Sequence, residues 1–88
     1  MSDAEAHAEA LRAEFARRSI GANVSSDDDA WACNASINDI PVSVYFAIDR
    51  ERGDIHWRSN TEVHRVTDWD VTADDLAERV IDTFLNPA

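Results

Sequence analysis

The sequence predicts an α+β domain: a helix, a three-stranded antiparallel sheet and a second helix, with both terminal helices on one face of the sheet. Two segments, 3–18 and 72–85, repeat their apolar side chains at helical spacing, and the chain between them alternates with a period of two. Two turn sequences inside that middle region place the same side chains on one face. A single α-β-β-β-α domain spanning 1–88 is expected, since a chain of this length buries only about 60–65% of its unfolded surface and forms one small core.

The first helix is predicted over 3–18. Ser2 followed by Glu5 is a capping box, and Ala4, Ala8, Leu11 and Phe15 share one face. Acids crowd its start, Arg17 and Arg18 close it, Glu14 and Arg18 form an i,i+4 pair, and Gly21 is the expected left-handed stop. Residues 21–29 read as a linker. Residues 30–37 and 40–48 then alternate, with Asn38-Asp39 as a two-residue hairpin turn. That turn sets Ile37 by Ile40, Ala35 by Val42, Cys33 by Val44 and Trp31 by Phe46, and a slip of one residue would break every pair.

The stretch "DRERGD", 49–54, closes a second hairpin around Gly53. With Asp49 opposite Asp54, Ile48 meets Ile55 and Phe46 meets Trp57, so that Trp31, Phe46 and Trp57 form one aromatic row. Residues 59–70 admit two readings: Ser59 and Glu62 capping a short helical turn, or a fourth strand over Glu62–Thr67. The last helix opens on a second capping box, Thr72 with Asp75, and a staple of Val71 on Leu76. Its buried face is Leu76, Ala77, Val80, Ile81, Phe84 and Leu85, until Asn86-Pro87 ends it.

The net charge is −10, from eighteen acids against eight bases, and every base is arginine. Such a field repels nucleic acid and anionic membrane and favours a basic partner, including a surface that normally holds nucleic acid. The longest apolar runs fall short of the roughly 18–20 residues that cross a bilayer, and no basic segment precedes an apolar one at the N-terminus. No membrane association is therefore expected, and the expected compartment is the cytoplasm of a prokaryote or of a phage-infected host. A single cysteine, Cys33, has no internal partner and suits a reducing compartment.

Four carboxylates, Asp74, Asp75, Glu78 and Asp82, share the outer side of the last helix over about 12 Å of axis. One DNA strand carries a charge per roughly 3.4 Å, so the linear densities are comparable. Asp68 and Asp70 around Trp69, and the triad Asp27, Asp28 and Asp29, extend the candidate partner-binding surface. Trp69 reads either as an anchor for an arginine-rich partner or as a plug at the core edge. "SSDDD" lacks the central glycine and distal glutamate of a calcium loop, so turn chemistry is its expected role.

The opposite sheet face shows rows of Ala32, Tyr45 and Arg58, of Asn34, Ser43 and Asn60, and of Ala30, Ala47 and His56, with no acid. Small residues around a tyrosine mark this as a candidate dimer face, covered by a second copy or by residues 59–70.

No nucleophile elbow, P-loop, dinucleotide fingerprint or zinc-protease motif is present, and two glycines cannot line a phosphate cradle. Cys33 and His56 fall on opposite faces, which disfavours a dyad, while His56 and His64 make only a loose zinc pair. A non-enzyme without metal or cofactor is expected. The α-β-β-β-α order resembles the double-stranded-RNA-binding domain, whose last helix begins with basic residues; "TADDLAE" here contradicts RNA binding by that route. In size, acidity and absence of catalytic motifs the chain looks like the small phage-encoded anti-CRISPR inhibitors, several of which imitate nucleic acid. That resemblance is one of general character, and it implies a protein that blocks a nucleic-acid-binding effector complex. The competing expectation is a housekeeping domain, acidic through salt adaptation or a GC-rich genome, acting through its open sheet face.

Overall fold

The computed structural model describes residues 3–48, 53–59 and 62–85. Its elements are α1 (Asp3–Arg17), β1 (Ala22–Ser26), β2 (Ala30–Ile37), β3 (Ile40–Ala47), β4 (Ile55–Ser59), β5 (Glu62–Val66) and α2 (Ala73–Leu85). The five strands form one antiparallel meander in chain order. Both helices cover the same face: α1 packs over β1, β2 and β3, and α2 against α1 and β4.

The sheet therefore has five strands where three, or four with the strand reading of 62–67, were expected. The stretch read as a linker, 21–29, contains the edge strand β1. Its sequence ANVSS offers only Ala22 and Val24 to the helix side and is otherwise rich in turn-forming residues, so alternation hardly registers. Residues 62–66 take the strand reading and extend the sheet at its other edge. They do not cover the open face.

The first helix ends through a different residue from the one expected. Ser19, with φ 62°, is the left-handed residue, and Gly21 has no positive φ. The amide of Ser19 donates to the Ala16 carbonyl (3.0 Å) and that of Ile20 to the Phe15 carbonyl (2.8 Å), the paired closure of a Schellman motif with Ile20 packed on the core. Replacing Ser19 by glycine relieves roughly 1–2 kcal/mol of left-handed strain against about 0.5–1 kcal/mol of added unfolded-chain entropy. A net gain of up to about 1 kcal/mol is expected in urea denaturation. Ser2, the expected cap at the other end, lies outside the described residues.

The first hairpin follows its sequence. Asn38 and Asp39 both have positive φ, 55° and 66°, which defines a type I′ turn, and the β2–β3 register is the expected one throughout. The β3–β4 register is shifted by two residues from expectation: Phe46 faces Ile55 and Tyr45 faces His56. The row across the buried face is thus Trp31, Phe46, Ile55 and Val66, and Trp57 pairs with His64 instead. Asp49, the expected partner of Asp54, lies outside the described residues.

Between sheet and helices lies one cluster of buried side chains, including Leu11, Phe15, Val44, Phe46, Ile55, Leu76 and Val80. Thr72 caps α2, its Oγ1 accepting from the Asp75 amide at 3.1 Å, while Val71 packs against the core as the staple requires. The Asp75 carboxylate reaches forward to Arg79 at 3.1 Å. The Trp57 indole nitrogen donates to Thr83 Oγ1 at 3.0 Å, anchoring α2 to β4. His7 spans two carbonyls, with Nδ1 2.7 Å from that of Asp3 and Nε2 3.1 Å from that of Trp69, and so ties α1 to the turn before α2. The expected end of α2 at Asn86-Pro87 lies outside the described residues, as does the side chain of Leu85.

Candidate binding surfaces

The segment from Asp68 to Asp82 presents six exposed carboxylates and one arginine. Helix phase explains why: Leu76, Ala77 and Val80 are the buried positions, so Asp74, Asp75, Glu78 and Asp82 must face water. Three of the four meet a cation. Arg18 Nη2 pairs with Asp74 and approaches Glu78 at 3.9 Å, its Nη1 holds Glu14 at 2.7 Å, and Arg79 holds Asp75. Hydrogen bonds to Glu14 and then to Asp74 raise the pKa of Arg18 above its ordinary value, so the clamp between the helices stays cationic.

Asp68 and Asp70 stand in the turn ahead of α2, where Asp68 Oδ1 accepts the Asp70 amide at 2.9 Å. Trp69 between them is half-buried and packs against the core; its ring lies edge-on to His7 at 5.3 Å and 6.4 Å from Phe46. Of its two readings, the plug describes its position.

The triad Asp27–Asp29 forms the β1–β2 turn, with Asp27 Oδ1 accepting the Asp28 amide at 2.8 Å. Turn chemistry is thus part of what these residues do. Asp28 and Asp29 also border a cleft of about 520 Å³ at one end of the open sheet face, floored by Ala30 and Ala47 and walled by Asp54 and His56. Two groups of predicted residues, Asp28 and Asp29 of the triad and the pair Ala47 and His56, meet there.

On the rest of the open face the expected rows change with the register. Tyr45 stacks on His56, ring centroids 5.2 Å apart, in place of Arg58. Ala32, expected at the dimer face, is only 5% exposed, because it lies in register between Ser25 and Tyr45 on the flanking strands. Arg58 is exposed beside β5. Asn34 Nδ2 donates to Asn23 Oδ1 and Ser25 Oγ, both at 3.0 Å, and Ser43 Oγ donates to Asn34 Oδ1 at 2.6 Å. This ladder crosses β1, β2 and β3; Asn60, assigned to the row from sequence, lies outside the described residues. The face is not free of acid as expected. Asp54 accepts from Arg65 Nη1 at 3.1 Å and lies 3.5 Å from His56 Nδ1, a buried nitrogen with no aligned hydrogen-bond partner.

Cys33 and His56 do point to opposite faces, Cys33 into the core and His56 to the open side. His64 is on the helix side, stacked on Trp57 at 5.6 Å and hydrogen-bonded with Ser59 Oγ at 2.6 Å, so it cannot join His56 around one ion. Among the described residues no three His, Cys, Asp or Glu side chains form a metal-holding group. No helix of the described residues is long and apolar enough to cross a membrane.

Burial pushes the Cys33 thiol up to about 12 from an ordinary 9.0. With the folded value raised, its stabilising share is full below pH 9.0 and is lost as pH climbs toward about 12. A thiol-reactive disulfide reagent at mildly alkaline pH is expected to modify Cys33 only as fast as the protein unfolds. Immediate stoichiometric labelling of the native protein would contradict the buried placement.

Sequence reasoning found the Glu14–Arg18 pair from its spacing but not the reach of Arg18 to α2, nor the role of Asp54 on the open face. Neither has a local signal, since each partner comes from a distant element. No protein-family model matches this chain, and no curated protein or solved structure matches it either.

Proposed function

We propose that this is a non-enzymatic acidic binding protein whose helix layer occupies a basic, nucleic-acid-binding surface on a partner protein and keeps nucleic acid off it, as an anti-CRISPR-type inhibitor does. The observation that carries the reading is the segregation of charge. Residues 3–18 together with 68–82 bear ten carboxylates against four arginines, whereas the open face presents, among the described residues, Asp54, with Asp28 and Asp29 at its end, beside Arg58 and Arg65. Acidity acquired for solvation in salt would be spread over both faces. Acidity concentrated on the helix layer gives the molecule a directed field that steers it toward a basic surface.

The action requires no bond to be made or broken. Arg18 and Arg79 hold Asp74 and Asp75 in fixed positions at the price of some local charge, while Asp70 and Asp82 add to the field along the same segment. Fixed carboxylates lose less side-chain freedom on docking than mobile ones. A partner groove lined by arginine or lysine would exchange phosphates for these carboxylates, so that occupancy by protein and by nucleic acid exclude one another.

The test is capture on immobilised protein from lysate of the source organism at low salt, followed by a salt gradient and by competition with duplex DNA. The expected product is a nucleic-acid-binding protein that salt releases and DNA displaces. Capture indifferent to DNA, or none, argues for the housekeeping reading, which further requires a melting temperature that climbs steeply in molar salt as repulsion is screened.

A further inference from the structure

Strand β1 is the edge of the sheet, and its hydrogen-bonding pattern fixes which of its groups face outward. The Asp27 amide donates to the Ala30 carbonyl at 2.8 Å, continuing the β1–β2 ladder in which Ser25 faces Ala32 and Asn23 faces Asn34. In an antiparallel ladder hydrogen-bonded pairs alternate with non-bonded ones. Asn23, Ser25 and Asp27 therefore turn their main-chain groups toward β2, and Ala22, Val24 and Ser26 turn theirs away from it. No hydrogen bond within the chain takes up those outward groups among the described residues.

Exposed edges are ordinarily protected by charge, proline or a bulge. The other edge strand, β5, carries Glu62 and Arg65. Strand β1 has no charge, proline or bulge in a chain of which 30% is charged. Its outward groups are also symmetric about Val24. We propose that two copies of this chain pair antiparallel along β1 about a two-fold axis at Val24, joining their sheets into one.

In that register Val24 exchanges both hydrogen bonds with Val24 of the partner subunit, and Ala22 does so with Ser26 of the partner subunit. Every outward donor and acceptor of β1 is then satisfied. Carrying the count one residue past the strand sets Asp27 opposite Gly21 of the partner subunit, before the chain turns into β2 through Asp28 and Asp29. Asp27 and Asp28 thus come toward the arginine-bearing end of the other α1, where Arg17, paired with Glu14 at 2.9 Å, keeps its side chain 76% exposed. Charge complementarity selects a second copy over an unrelated strand, and it does so twice through the symmetry. The interface lies at the edge away from β4, over which α2 packs, so it is separate from the acidic face of α2.

Sedimentation velocity of the full chain from low to high micromolar concentration, with hydrogen exchange at the same concentrations, tests this. The expected result is a monomer–dimer equilibrium in which the Ala22, Val24 and Ser26 amides gain protection as dimer forms. Val24→Pro removes the outward amide, which an edge strand tolerates, together with a half-buried side chain at the rim of the core, and is expected to leave a folded monomer by circular dichroism. Arg17→Asp should weaken association and Asp28→Arg on that background should restore it. A chain that stays monomeric throughout overturns the proposal. So does a dimer whose three amides remain unprotected, a result that needs no variant to fold.

Discussion

Replacing Phe46 by alanine is expected to cost about 3–5 kcal/mol of folding stability, among the largest losses from a single truncation in this chain. Phe46 is 0% exposed on the central strand β3, flanked in register by Trp31 and Ile55 and faced by His7, whose ring centroid is 6.1 Å away. Sheet and helix layer both close on it, so the cavity left by the ring cannot collapse without moving α1. Domains of this kind hold a total of about 5–15 kcal/mol, and small ones sit toward the lower end. At about 4–8 °C of melting temperature per kcal/mol, the variant should lose well over 10 °C in a thermal scan and a large part of its urea midpoint. Ile40→Ala is the control, since Ile40 is 42% exposed and is expected to change stability by about 0.5 kcal/mol or less. Equal losses at the two positions would mean that the core is not centred on Phe46.

Reversing acids along α2 is expected to weaken binding to the captured partner by about tenfold or more at low salt and to flatten its salt dependence. Substitution of Asp74, Asp75, Glu78 and Asp82 together by lysine removes the whole row. The structure separates two effects within that row. Asp74→Lys sets a cation against Arg18 and strains the α1–α2 junction, whereas Asp82 has no ion-pair partner among the described residues. Asp70→Lys with Asp82→Lys is therefore the variant in which binding should fall with little change in melting temperature. Unchanged affinity in a folded quadruple variant would remove the basis for the phosphate-mimic reading. Loss only when Asp74 is included would assign the effect to the helix junction.

These two predictions draw on different kinds of legibility. The core face of β2 and β3 could be read along the chain because alternation and a two-residue turn are local: Asn38 and Asp39 tolerate positive φ, and a one-residue slip would bury polar side chains. The helices were legible for the same reason, through Thr72, Val71 and the spacing from Ala4 to Phe15. The candidate acids of α2 followed from the same periodicity, since the buried positions assign the exposed ones.

What lies beyond that was decided in three dimensions. A two-residue slip between β3 and β4 keeps every side chain on its face, so alternation is blind to it, and the packing of Trp57 on His64 and its bond to Thr83 accompany the register adopted. That shift brings His56 under Tyr45. Strand β1 escaped because an edge strand with one polar face needs little apolar sequence, and its identity rests on hydrogen bonds to β2. The charge pattern divides in the same way. Sequence by itself determined which residues are acidic and, through helix phase, which of them face water. Only the tertiary structure decided that Arg18 would neutralise Asp74 and that Asp54 would lie with Arg65, because an ion pair forms between neighbours in space and helix packing chooses those neighbours.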